Sequence, residues 1–340
     1  MTDDATKATR PRKGKKAKRS RRRKLLSRGT QYLVIRVVCY LVERLPFRVA
    51  RGLGWLAGTL GYYFTRRERI IAVNSLTRVY GGERSPREIR GMARDAFRSL
   101  VMTFLEFLVL RRWPPERLLA TFPEAIDGIR GMCDDLQKDD RGTSGVTAHY
   151  GNWEMLSFLV GVIRPGFLCS VAKRSKYPKT HALVHQLRTS SGSDVLYTDE
   201  SARKYLKTLR DGRMLGFLPD QDVRTNTGVF VDFLDLPAHT TSFPVALARK
   251  VGAKMIFCAL IRHGKGFRFH YAGHWDVPQT DNEERDLVEG TQRWTGELEK
   301  IIREDPSQWL WIYPRWRSSL DRPRSYVKAK KKGQREKINR

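Results

Sequence analysis

A chain of 340 residues can hold one large α/β domain, or two small ones, around a substantial core. Its 40% hydrophobic share excludes a polytopic membrane protein. Its net charge of +29 calls for a polyanionic partner or surface.

The charge is concentrated at the ends. Residues 1–28 hold 13 basic and 2 acidic side chains, and residues 321–340 hold 9 and 2. Such tails bury too little apolar area to offset their ordering entropy, so both are predicted to be disordered. Anionic lipid headgroups, at about 1 kcal/mol per Lys or Arg near the surface, and nucleic acid both fit them. The four cysteines (Cys39, Cys133, Cys169 and Cys258) form no CxxC pair and read as free buried thiols.

Past the basic arm comes an apolar run, residues 32–42, interrupted by Arg36. After Pro46 a second run spans residues 52–64. Neither has the 18 or more residues of a confident membrane span, and no small-residue cleavage site follows. The first run therefore reads as an interfacial helix or short anchor with its basic arm on the cytoplasmic side. An amphipathic core helix is the alternative. Residues 69–112 read as helices, with Glu88 to Leu110 showing clear helical spacing, and Pro114-Pro115 ends them. Asn74 and Arg78 lie in the earlier helical stretch with no evident chemistry.

From about residue 120 strands and helices alternate. Strands are predicted at 145–148, 167–172, 195–197 and 214–218. Helices are predicted at 154–163, 179–189, 201–210 and 242–251. A hairpin (254–262 with 267–271) turns around Gly264 and Gly266, and a closing helix spans 287–303. This order implies an α/β sheet.

The residues with most chemical promise are His149 and Glu154. On a straight helix they would lie about 140° apart. The sequence offers another geometry. Residues 145–148 end a strand, Gly151 permits a tight turn, and Asn152 is a good N-cap. The imidazole then stands at a strand's carboxyl end, where α/β folds bind ligands. Glu154 lies in the following first helical turn, facing back toward it. A histidine there can be a general base whose tautomer a carboxylate fixes. A hydrogen-bonded structural histidine would leave the same pattern. Two further patterns are set aside: His181 and His185 at i,i+4 lack other metal-ligand signals, and no GxSxG elbow exists.

Five blocks in order extend the pattern: His149 to Glu154; Ala172-Lys173-Arg174 with Arg188 after it; Phe217 to Asp222; Gly228 to Phe233 with Pro237 to Thr241; and Pro306 to Trp316. Over roughly residues 30–318 the chain resembles the lipid A biosynthesis acyltransferases, the late, lauroyl-type members of the lysophospholipid acyltransferase-like family. Asp235 stands where that family usually has glycine, Tyr313-Pro314 replaces a more usual His-Arg, and the long basic tails fall outside the common pattern.

The resemblance implies a glycerol-phosphate-acyltransferase-like central mixed sheet flanked by helices, with an N-terminal membrane-associating helix. The expected organisation is a basic arm (1–28), a membrane-associating segment (29–65), an α/β domain (66–320) and a basic tail (321–340). The implied reaction moves a fatty acyl chain from acyl carrier protein or coenzyme A to a hydroxyl of a glycolipid or lipid A-type acceptor, on the cytoplasmic face of the inner membrane. His149 is expected as base, oriented by Glu154. Arg188 is a candidate for the oxyanion or a donor phosphate, with Arg174 as second candidate. Asp220 is expected to position Arg188 or bind acceptor hydroxyls. The chemistry needs no metal or redox cofactor. Trp309, Trp311 and Trp316 are expected in the core and at the membrane interface, and nucleic acid is the less favoured partner. The rival reading is a non-catalytic basic protein on the same scaffold, binding anionic membrane or nucleic acid. Its binding would survive substitution of His149 and Glu154.

Overall fold

The computed structural model describes residues 30, 32–223 and 228–320. The basic arm 1–28 and basic tail 321–340, expected to be disordered, lie outside the described residues.

The central sheet has six strands in the order β3-β2-β4-β1-β7-β8. These are β1 (Thr143–Val146), β2 (Leu168–Ala172), β3 (Asp194–Tyr197), β4 (Met214–Phe217), β7 (Lys254–His263) and β8 (Gly266–Trp275). The first five are mutually parallel, and β8 returns antiparallel to β7 through a turn at Gly264. The fold is thus the expected mixed α/β sheet flanked by helices. β1, at its centre, is buried along its whole length, as a strand covered on both faces must be.

Side chains alternate between the two faces. On β7, Ile256, Cys258 and Leu260 pack under α6 (Pro123–Leu136) and α7 (Trp153–Ile163). Met255, Phe257, Ala259 and Ile261 face the opposite core. That core is closed by α9 (Ala202–Arg210), α10 (Phe243–Val251) and α11 (Glu283–Glu304). The sequence pattern predicts neither α6 nor a second sheet, β5 (Gly228–Phe233) with β6 (Leu236–Thr241). It docks on α11, where Gln292 exchanges two 2.8 Å hydrogen bonds with the Asp232 backbone.

The N-terminal side is helical. α1 covers residues 32–42, followed by α2 (Phe47–Phe64), α3 (Arg66–Tyr80), α4 (Pro86–Leu110) and the short α5 (Pro115–Thr121). Ser85 and Glu88 form a reciprocal capping box that starts α4, with Pro86 at its first position. α2 packs closely along α4. A Cβ on Gly58 would lie 2.4 Å from the Arg98 Cα, so only glycine allows this approach. The opposite side of α2 is exposed and apolar: Val49, Leu53, Leu56, Leu60 and Phe64 share one helical face. α1 adds exposed Leu33, Val34, Ile35, Val37, Val38 and Leu41. No helix among the described residues is long and apolar enough to cross a membrane.

Candidate active site

β1 delivers His149 to the carboxyl edge of the sheet. Thr147 continues the ladder to the Phe217 carbonyl at 2.9 Å. The chain then turns at Gly151, whose φ is +61°. A Cβ there would meet the Leu260 carbonyl oxygen at 2.1 Å, so glycine is required on two counts. Asn152 caps α7 by accepting from the Met155 amide at 2.9 Å. A second segment, the 3-10 turn Pro306–Gln308 and the residues after it, locks this turn. The Gly151 amide donates to the Gln308 carbonyl at 3.1 Å, and the Leu310 amide to the His149 carbonyl at 3.1 Å.

The carboxylate that holds the imidazole is Asp220, just beyond β4. Nδ1 of His149 and Oδ1 of Asp220 lie 2.7 Å apart. The His149 amide donates to Oδ2 at 3.0 Å, and the Trp309 indole N–H donates to Oδ2 at 2.9 Å. Asp220 is buried, while His149 keeps about a fifth of its side-chain surface open. With Nδ1–H directed at Asp220, Nε2 carries the lone pair. Burial pushes the imidazole pKa down, but the Asp220 charge and hydrogen bond, with Glu154 adding, outweigh this and raise it. Burial alone would raise the Asp220 pKa. His149 and the hydrogen bonds it receives lower it instead.

Glu154 does not hold the imidazole. It lies in the first turn of α7 and forms a two-point ion pair with Arg188, from α8 (Pro178–Thr189). The physical reason is the N-cap at Asn152. Helix geometry from that cap turns Glu154 toward α8, while the reversal at Gly151 turns His149 toward β4. Asp220 therefore bonds His149 rather than Arg188. Burial disfavours the Arg188 charge, but Glu154 raises its pKa, so it stays cationic. Arg174, beyond β2, lies on the exposed carboxyl edge. It pairs with Asp199 at 3.0 Å and stacks over the Tyr197 ring. His185 bonds the Tyr197 hydroxyl at 2.9 Å, and His181 lies 3.3 Å from Arg174 Nη1. Trp309, Trp311 and Trp316 are all buried, which places them in the core and not at an interface.

A polar network beneath the turn was not foreseen. Arg262 of β7 is buried. Its Nε donates to Glu106 at 2.9 Å and its Nη1 to the Gly151 carbonyl at 3.0 Å. The same guanidinium reaches Ser99 at 2.9 Å and Thr103 at 2.7 Å. Glu106 also accepts from Asn152 at 2.8 Å and lies 3.0 Å from Arg51 Nε. Gln308 clamps the Arg262 backbone from both sides, at 2.9 and 3.0 Å. One signal was available in the sequence: Ser99, Thr103 and Glu106 form a polar stripe on the otherwise apolar C-terminal half of α4.

Two concavities lie along the carboxyl edge of the sheet. A slot lined by Trp153, Ser157, Ser170, Leu218 and Cys258 runs into the core between the sheet and α7. Its Trp153 ring meets the His149 ring edge-on at 5.2 Å. A wider cleft of about 640 Å³ lies at the ends of β3 and β4, lined by Glu200, Tyr205, Pro219 and Phe243 among others.

Comparison with known sequences bears on what this arrangement does. The sequence model of the family described as "Bacterial lipid A biosynthesis acyltransferase" matches residues 16–318. The lipid A biosynthesis palmitoleoyltransferase of Escherichia coli K12 is 25% identical over 288 residues, 83% of this chain and 89% of that protein. The lipid A biosynthesis lauroyltransferase of the same organism is 28% identical over 287 residues, with the same coverage.

Proposed function

Because the chain belongs to the bacterial lipid A biosynthesis acyltransferase family, and is an acyltransferase, we propose that it moves a fatty acyl chain from an acyl thioester to a hydroxyl of a lipid A-type acceptor, with His149 as general base. The observation that carries this reading is the chain of bonds from Trp309 through Asp220 to His149 at the carboxyl edge of the sheet.

Nε2 of His149 takes the acceptor hydroxyl's proton as its oxygen attacks the thioester carbonyl. The C–O bond forms and the carbonyl becomes a tetrahedral oxyanion. Arg188 is the donor proposed for that oxyanion. Its Nε and Nη2 are held by Glu154, which leaves Nη1 directed elsewhere. Collapse breaks the C–S bond, and the imidazolium returns the proton to the leaving thiolate. Glu154 then acts chiefly by holding Arg188 and makes no bond to His149. Arg174, on the same edge, is the weaker candidate for a donor phosphate. Acyl carrier protein is the donor favoured here over coenzyme A, since its acidity suits the basic surface. The test is transfer of one acyl group, read by mass spectrometry, from acyl carrier protein to a lipid A precursor lacking a secondary chain. An unchanged acceptor mass would overturn the assignment.

The slot beside Trp153 is the proposed seat of the acyl chain. Ser170→Leu narrows it, so donor preference should shift toward shorter chains. Equal competition between donors of different length in wild type and variant would remove the slot from the reading.

The apolar faces of α1 and α2 are proposed to lie on the cytoplasmic leaflet of the inner membrane, with the basic tails drawn to its anionic headgroups. Leu56→Glu with Leu60→Glu should weaken partition onto anionic vesicles at least tenfold, since each buried leucine contributes about 1.5–3 kcal/mol. Both side chains are exposed, so the melting temperature should hold. Unchanged vesicle binding would place the contact elsewhere.

A further inference from the structure

α3 carries a row of residues with no part in the chemistry above. Arg67, Ile71, Asn74 and Arg78 recur at helical spacing on one face, while Ala72, Leu76 and Tyr80 bury the other. That outer face forms one wall of a concavity of about 370 Å³. Pro314, Trp316 and Arg317 form the other. Three guanidiniums and one amide therefore surround a hollow that no carboxylate lines. Arg67, Arg78 and Arg317 have no ion pair among the described residues.

The hollow is joined to the candidate active site by its second wall. The Leu310 amide is bonded to the His149 carbonyl, and Trp309 to Asp220. The same stretch continues to Tyr313, bonded to the Asp222 carbonyl at 3.3 Å, and to Ser318, bonded to the Asp222 carboxylate at 2.7 Å. Along the chain, the apolar face of α2 ends in exposed Tyr63 and Phe64, one residue before α3 begins. An apolar face followed directly by a row of guanidiniums suits an amphiphile that bears an anion. Guanidiniums match phosphate oxygens with paired, charge-assisted hydrogen bonds.

We propose that this concavity is a phosphate-binding site serving a substrate of the enzyme. The inference rests on the acyltransferase reading above. A phosphate on the lipid acceptor is one source, and the phosphodiester of the acyl donor's carrier arm is the other.

The test uses the full chain in detergent micelles, as wild type and as the Arg67→Gln, Arg78→Gln double variant. Both positions are exposed, so folding should be unaffected. Initial rates are measured against a phosphorylated glycolipid acceptor, against the same lipid after phosphatase treatment, and against the acyl donor. The expected result is an acceptor KM about tenfold higher with kcat unchanged, confined to the phosphorylated lipid. A rise confined to donor KM also supports the site and assigns it to the donor's phosphate. Unchanged KM values for both substrates overturn the proposal. Binding of the fluorescently labelled protein to micelles with and without the phosphorylated lipid is measured alongside. If wild type transfers no acyl group to any lipid, the enzymatic reading fails, and the micelle assay alone decides this site. Weaker binding of the double variant to phosphorylated micelles only would then support it, and equal binding would overturn it.

Discussion

His149→Ala should lower acyl transfer by about 10²–10⁴-fold, the usual share of a positioned general base. Asp220→Asn should cost a comparable factor while leaving the imidazole in place. An amide in that position can present its N–H₂ to Nδ1, which reverses the tautomer and occupies the lone pair the mechanism needs at Nε2. The pH dependence separates the two variants. Asp220 and its hydrogen bond, overcoming burial, raise the His149 pKa above its ordinary 6.5. A base works only when neutral, so the wild-type rate should fall as pH drops through that raised value. In Asp220→Asn the residual rate should keep its acid limb at lower pH. Stability follows the same linkage with a defined sign. The His149 contribution is fully present below the unfolded imidazole value of about 6.5 and is lost as pH rises through the raised folded value. The Asp220 contribution is present above the unfolded carboxylate value of about 3.9 and is lost as pH falls through its depressed folded value. Between those limits the pair stabilises most, and melting of wild type against Asp220→Asn should diverge most there. Unaltered transfer by His149→Ala would remove His149 as the base. No transfer by wild type, with binding to anionic membrane that survives the substitution, would favour a non-catalytic protein.

The strands and most helices were legible because their signals are local. β1, β2, β4 and the β7–β8 hairpin fall within a few residues of the apolar runs that predict them. α6 was legible in principle: Pro123 stands at its first position, and Ala125, Ile126, Ile129, Met132, Cys133 and Leu136 recur at helical spacing. The β5–β6 sheet is harder to read. Pro237 and His239 sit inside it, and Leu234 and Asp235 at its turn take positive φ without a glycine. The turn at Gly151 and Asn152 was readable, so His149 could be placed at a sheet edge. Its partner could not. Glu154 was near in sequence, but Asp220 is 71 residues away and arrives through the parallel pairing of β4 with β1. Local spacing picks out the candidate base. The groups that hold it come from sheet order.

The Glu106–Arg262 contact is the extreme case of this, since 156 residues separate the partners. Glu106→Ala should destabilise the fold by about 3–5 kcal/mol, because it leaves a buried guanidinium uncompensated. That is a large part of the roughly 5–15 kcal/mol that holds a typical domain together. Burial already lowers the Arg262 pKa despite Glu106, yet a guanidinium cannot shed its charge near neutral pH, so the cost has no outlet in deprotonation. Replacing both partners (Glu106→Leu with Arg262→Met) removes the uncompensated charge and should recover much of the melting temperature. Activity should not return with it. Arg262 and Thr103 both bond the Gly151 carbonyl, and Glu106 holds Asn152, so the network fixes the turn that aims His149 at Asp220. The apolar pair refills the space but leaves that carbonyl with one donor fewer and the Asn152 amide without its carboxylate. Denaturant melts and kcat on the same three proteins separate the two roles. Recovery of stability with kcat still depressed marks the network as positioning the active-site turn. Recovery of both would confine it to holding the fold.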